Sequence, residues 1–231
     1  MSEALYETLG QGAWTLGHLG QSLDGFIATR GGQSHYVTGP ENIRHLHRMR
    51  ALADAVVVGA ETVARDDPRL TVRQVTGTNP LRVILDPKRR LDADHRVFQD
   101  GAAPSLVIAA VPGAATHGQA EVLEVAADQG VLRLGALKQA LAARGLSRIF
   151  VEGGGITVSH FLTQGQLDVL QIAVAPLIIG GGRPGLRLPP VDHLDRALRP
   201  PCRIFAMGAD TLFHMDLRPE GEQIQMSDQT P

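Results

Sequence analysis

Short apolar runs alternate along the chain with longer stretches in which apolar residues recur every three or four positions. Ala55–Gly59 (AVVVG), Leu81–Leu85 (LRVIL), Ser105–Ala109 (SLVIA) and Arg148–Val151 (RIFV) are β-branched and run into Gly, Asp or small residues. That is the pattern of strands buried on both faces of a parallel sheet. Between them, Pro40–Ala53 reads as a helix, with Pro40 in its first turn, Thr38 and Glu41 spaced as a capping box, and Ile43, Leu46 and Met49–Leu52 as its apolar face. Leu134–Arg144 reads as a second helix, closed by Gly145. This β-α-β alternation predicts an α/β domain with a mostly parallel central sheet, whose ligands sit beyond the carboxyl ends of the strands. Late in the chain the pattern changes, and Leu167–Ala175 and Arg203–Leu217 predict longer antiparallel strands that extend the sheet or form a subunit interface. No repeat or low-complexity linker intervenes, so a single domain is expected over residues 14–217, with polar, aperiodic tails at 1–13 and 218–231.

Composition narrows the classes of function. The 231 residues, 43% of them hydrophobic, suffice for one large core. A formal charge of −2 offers no field for a polyanion, and nine aromatic residues (six Phe, two Tyr, one Trp) make a poor base-stacking platform, so nucleic acid is not expected as a partner. One cysteine, Cys202, permits no internal disulfide, which suits a reducing, cytoplasmic setting. The apolar runs are too short to cross a bilayer, and MSEALYETLG lacks the basic flank and apolar centre of a signal peptide.

The strongest local feature is IFVEGGGITVSH, Ile149–His160, in which a strand runs into three glycines and a helix begins. Gly153, Gly154 and Gly155 let the backbone approach a ligand with N–H groups exposed at a helix amino end, a ready phosphate site, and Glu152 stands at the strand end facing the same crevice. It is not the G-x-G-x-x-G fingerprint, since Val158 occupies the last glycine's position, and the chain has no P-loop. A second cluster, Ile178–Gly185, reads equally well as a turning loop or as a rim of the site. Asp66 and Asp67 diverge unless the backbone folds them together. His45 and His47, two apart on a helix, point ~200° from each other. No metal site is therefore expected.

Four segments then occur in order: Gln21–Thr29 (QSLDGFIAT), Gly32–Gly39 (GQSHYVTG), Arg50–Gly59 and Thr62–Arg73 (TVARDDPRLTVR), followed by Pro80–Asp86, Val151–Gly155 and Ala175–Gly180. Together they resemble the reductase domain of the bifunctional riboflavin-biosynthesis deaminase–reductase, over roughly residues 14–217; the zinc motif of the deaminase half is absent from this sequence. The resemblance implies a dihydrofolate-reductase-like three-layer fold, a homodimer, and NADPH-dependent reduction of a 5-amino-6-(5-phosphoribosylamino)pyrimidine, in its uracil or diamino-pyrimidinone form, by hydride transfer to the ribose C1′. It also implies substrate contacts at Ser34, Arg50, Leu70 and Arg73, with both arginines on the phosphate. Cofactor contacts are implied at Gly20, Tyr36, Gly59, Thr62, Asp66, Gly153, Gly154, Gly155, Ile156 and Thr157, and catalytic roles at Glu152 and His18. His18 stands where the bifunctional enzymes commonly carry a Lys, which turns a permanent cation into a titratable group, and Tyr36 stands where a Trp is frequent.

Two other readings stay open on the residues alone. A pterin reductase shares the fold and cofactor but needs a carboxylate for the pteridine, whereas the first helix offers only Glu41 beside Arg44, Arg48 and Arg50. A non-catalytic nucleotide-binding homologue would keep the pocket without turnover.

Overall fold

The computed structural model describes residues 3–219, so the expected C-terminal tail lies outside the described residues from position 220 onward. In chain order the elements are α1 (Glu3–Leu9), β1 (Trp14–Ser22), β2 (Phe26–Thr29), α2 (Pro40–Leu52), β3 (Ala55–Gly59), α3 (Ala60–Asp66), β4 (Leu81–Leu85), α4 (Arg96–Gln99) and β5 (Ser105–Ala109). Then come β6 (Thr116–His117), β7 (Ala120–Glu124), β8 (Ala127–Asp128), β9 (Val131–Leu132), α5 (Leu134–Ala142), β10 (Arg148–Glu152) and α6 (Gly155–Thr163). The chain finishes with β11 (Val169–Ala175), β12 (Gly182–Pro184), β13 (Cys202–Met207) and β14 (Asp210–Asp216).

A ten-stranded sheet in the order β13-β14-β11-β1-β10-β3-β4-β5-β7-β6 forms the middle layer. From β11 to β7 neighbouring strands are parallel, while β14 joins β11 antiparallel and β13 and β6 pair antiparallel with their neighbours. The four short apolar runs are the strands expected of them. The segment from Arg203 is a hairpin rather than one strand, and β11 is antiparallel only on one side, because its other neighbour is β1. Alternation along each strand splits the core between two faces. Val56, Val58, Ile84 and Phe150 pack with Leu5, Leu9 and Met49 on one side, and Val57, Val83, Ile149 and Val151 with Leu137, Leu141, Val158 and Phe161 on the other. The result is the three-layer dihydrofolate-reductase-like arrangement.

Two local expectations are corrected. Residues 3–9, expected in a tail, form α1, whose Leu5, Tyr6 and Leu9 are buried and whose Leu9 carbonyl accepts the Trp14 indole N–H at 2.7 Å. A seven-residue helix carries too few turns to show a period. On α2 no capping box forms: Gly39 is the N-cap, Thr38 Oγ1 accepts from Asn42 Nδ2 at 2.8 Å, and the Gly39 N–H is taken by Asp210 at 2.7 Å.

The face of α2 turned to the sheet is also largely polar. Asn42, His45, His47, Met49 and Arg50 are buried, whereas Ile43 is 37% exposed. The sheet dictates this, because strand register aligns His214, Gln171, His18 and Glu152 side by side across β14, β11, β1 and β10. Gln171 Oε1 lies 2.7 Å from His45 Nε2 and 3.3 Å from His18 Nδ1, Gln171 Nε2 lies 3.1 Å from His214 Nδ1, and the Tyr6 hydroxyl reaches His45 Nδ1 at 2.8 Å. This network pins α1 and α2 to the sheet.

Burial, the dominant cause in each case, pushes His18 and His214 down to about 4 and His45 to about 3. The unfolded chain protonates these rings near pH 6.5 while the folded chain does not, so stability is whole above that value and is lost as pH falls toward 4. Each ring contributes a slope of up to about 1.4 kcal/mol per pH unit in that window. Denaturant melts from pH 7.5 to 4.5 are expected to show a steep loss below about pH 6.5; a flat profile would contradict the neutral network.

Candidate functional site

The carboxyl ends of β1, β10, β3 and β4 open onto a cavity of about 500 Å³. Since β1, β10 and β3 are consecutive in the sheet, Gly20, Glu152–Gly155 and Gly59 converge although they are far apart in sequence. At the floor, Glu152 receives a two-pronged ion pair from Arg50. Nε donates to one carboxylate oxygen at 2.7 Å, the second guanidinium N–H donates to the other oxygen, and the third nitrogen donates to the Thr71 carbonyl at 3.0 Å. Burial alone would lower the Arg50 pKa, but the Glu152 carboxylate holds it above its usual value. His18, the register partner of Glu152 on β1, is 2% exposed and neutral at physiological pH.

The glycine turn forms the wall. Gly153 and Gly154 have φ of 75° and 63°, the left-handed region that glycine adopts without strain. At Gly155 a Cβ would stand 1.9 Å from the Gly185 carbonyl oxygen, so the second glycine cluster packs directly on the first. At Gly59 a Cβ would lie 2.5 Å from Thr157 Oγ1. The nine-residue helix α6 starts here without a side-chain cap, leaving first-turn N–H groups of Gly155, Ile156 and Thr157 for an anion in the cavity. A cradle of bare backbone at a helix amino end suits a dinucleotide diphosphate.

Of the residues singled out in the sequence, His18, Gly20, Ser34, Gly59, Thr62, Asp66, Glu152, Gly153, Gly154, Gly155, Ile156 and Thr157 all line this cavity. Four do not. Arg50 lies behind Glu152 and spends its guanidinium there, so it is not a free phosphate clamp. Arg73 donates to the Thr71 hydroxyl at 2.7 Å and lies near Arg50 and Arg69; burial first, and then those two charges, lower its pKa. Leu70 is buried with φ of 54°, and Tyr36, with φ of 66°, is 93% exposed. Asp67, next to Asp66, makes a turn-end ion pair with Arg96 at 3.0 Å.

Sequence reasoning missed Asn42, Arg90 and Arg187 on the cavity wall, which Arg183 also lines from within the Ile178–Gly185 cluster read as a loop or a rim of the site. Asn42 stands in the first turn of α2, where an Asn is ordinary, so it gave no signal. The arginines read like any surface cation. Among the described residues, two buried polar atoms that line the cavity lack a hydrogen-bond partner, His18 Nε2 and Asn42 Oδ1.

The sequence is similar over residues 14–199 to the model of the RibD C-terminal domain. It is 36% identical over 165 residues to the 2,5-diamino-6-ribosylamino-4(3H)-pyrimidinone 5′-phosphate reductase of Methanothermobacter thermautotrophicus, covering 69% of this chain and 76% of that protein. It is 35% identical over 170 residues to the riboflavin biosynthesis protein RibD of Aquifex aeolicus, covering 70% of this chain and 46% of that one. Among solved structures it superposes on the deaminase/5-amino-6-(5-phosphoribosylamino)uracil reductase of Thermotoga maritima with a TM-score of 0.75 at 27% identity, covering 88% of this chain and 56% of that one. The chain thus spans about half the length of these last two relatives. With the glycine turn, the Glu152–Arg50 floor and the parallel sheet all falling inside the matched span, the chain belongs to the RibD C-terminal domain family.

Proposed function

We propose that this chain is an NADPH-dependent reductase of riboflavin-biosynthesis type. It reduces 2,5-diamino-6-ribosylamino-4(3H)-pyrimidinone 5′-phosphate, or its deaminated uracil counterpart, to the ribitylamino product. The observation that carries this reading is one cavity in which a bare helix amino end and a half-buried, Arg-held carboxylate face the same space.

NADPH, when bound, supplies the hydride. The backbone N–H groups of Gly155–Thr157 hold its diphosphate, and the glycines at 59 and 153–155 keep side chains out of its path. On the substrate side, the C1′–O4′ bond of the ribosylamine breaks, O4′ takes up a proton from solvent to become the 4′-hydroxyl, and a cationic C1′–nitrogen iminium results. The Glu152 carboxylate, fixed in direction by Arg50, stabilises that cation at C1′ and orients it for attack. Hydride addition then leaves a neutral amine. Arg90, Arg183 and Arg187, on the cavity wall, offer positive charge for ligand phosphates, whereas Arg73 would reach the 5′-phosphate only from outside that wall. His18 adds no charge to the floor, in contrast to a lysine. A homodimer is part of the same proposal, supported by Leu194, Leu198 and Ile204, each at least 65% exposed on and near the edge strand β13. A cytoplasmic location is likewise proposed, on the single free Cys202.

The direct test is NADPH oxidation, followed by absorbance, with each ribosylamino-pyrimidine phosphate and with dihydrofolate. Turnover is expected with a ribosylamino-pyrimidine only; turnover confined to dihydrofolate, or none with NADPH bound, would overturn the reading. Glu152→Gln keeps the shape but removes the charge, and kcat/KM is expected to fall on the order of 100-fold. The same variant leaves Arg50 buried without its counter-charge and is expected to unfold at lower denaturant, by about 3 kcal/mol. Gly155→Ala forces the Gly185 loop away, so NADPH affinity measured by fluorescence titration is expected to weaken at least about tenfold; unchanged affinity would remove the cradle from the cofactor site.

A further inference from the structure

The polar row across the sheet has a centre that the reductase reading leaves unused. Gln171 is fully buried, is the register partner of His18 on one side and of His214 on the other, and touches no cavity wall. Its amide oxygen faces both His18 Nδ1, at 3.3 Å, and His45 Nε2, at 2.7 Å, while its amide nitrogen faces His214 Nδ1 at 3.1 Å. With the Gln171 amide oxygen turned to both rings, His18 carries its proton on Nδ1 and His45 on Nε2; the flipped amide would instead leave His18 an Nε2–H donor toward Asn42. The chain closes consistently, because His45 Nδ1 is then bare and the Tyr6 hydroxyl donates to it at 2.8 Å. Around His18 stand Glu152 on β10, Asn42 and His45 on α2, Gln171 on β11 and the Phe150 ring.

With Nδ1 engaged, His18 Nε2 is a bare lone pair. It is buried on the cavity floor without a partner, and Asn42 Oδ1, also 2% exposed, is in the same condition. In the Nδ1–H form these two neighbouring acceptors, which an Nε2–H would join to each other, call for two donors from a ligand. We infer that Gln171 is a positioning residue: it locks His18 in the Nδ1–H form, so that His18 Nε2 and Asn42 Oδ1 act as a pair of neutral acceptors for adjacent hydroxyls of the substrate's ribosyl chain. His18 is in this view a hydroxyl receiver and not a proton donor. The substrate half of the inference rests on the proposed reductase function; the tautomer half stands without it.

The test begins with the unliganded wild-type protein, using two-bond ¹H–¹⁵N correlations of the histidine rings, with the His18 signals assigned by their loss in His18→Gln. His18 is expected as the Nδ1–H tautomer. An Nε2–H form would overturn the proposal whatever the enzyme's substrate. In Gln171→Met the Nδ1–H form is expected to be lost and kcat to fall on the order of tenfold, with NADPH affinity within about twofold of wild type. Gln171→Glu, whose carboxylate also accepts from both rings, is expected to restore the Nδ1–H form and to bring a His18 ionisation above about 4 into the pH–rate profile. Retention of the tautomer in Gln171→Met, or equal loss of kcat and NADPH affinity, would leave Gln171 a purely structural residue and overturn the inference. Absence of turnover with every pyrimidine, with the tautomer as expected, would remove the reductase reading and with it the ribosyl ligand, while the positioning role stood.

Discussion

Arg50 and Glu152 meet in a site that water hardly reaches, and both the shape and the charge of the floor follow from that. A carboxylate brought to the end of a central strand loses its hydration and must recover it from a partner. Arg50 supplies two parallel N–H groups from the last turn of α2 and a further one to the Thr71 carbonyl, so the helix, the strand and the loop that follows α3 are fixed to one another. The carboxylate keeps its outer face toward the cavity. A free arginine at this point would attract anions; a paired one presents a directed negative charge instead.

The polar face of α2 is the other half of the same constraint. A helix lying on a row that contains Glu152, His18, Gln171 and His214 cannot offer it only leucines, because each polar atom left dry would cost about 1–3 kcal/mol. His45 and Arg50 answer the row, and Ile43 and Leu46 turn to the cavity, where an apolar wall beside a charged floor suits a flat heterocycle. The sheet order then does the rest, placing the glycine turn of β10 between Gly20 and Gly59 so that cofactor and substrate regions share one crevice.

What was legible in the sequence depended on how local its cause was. AVVVG, LRVIL, SLVIA and RIFV read as buried strands because their burial is a property of each run, and EGGG read as a turn because its φ values demand glycine. Helix α1 was not legible, since its seven residues fold only against Trp14 and His45. Nor was Arg82, which looks like a surface charge in LRVIL yet is 1% exposed, satisfied by Asp100, Ser105 and the Ala103 carbonyl. The Arg50–Glu152 pair spans 102 positions, so nothing near Arg50 announced that its charge was already spent.

In the proposed reaction the cavity brings a hydride donor against the C1′ carbon of a ribosylamine beside Glu152. Reduction with NADPH deuterated at the transferring position of nicotinamide C4, followed by NMR of the product, tests this most directly. One deuterium at C1′ of the ribityl chain is expected. Deuterium on the pyrimidine ring, or none in the product, would contradict it.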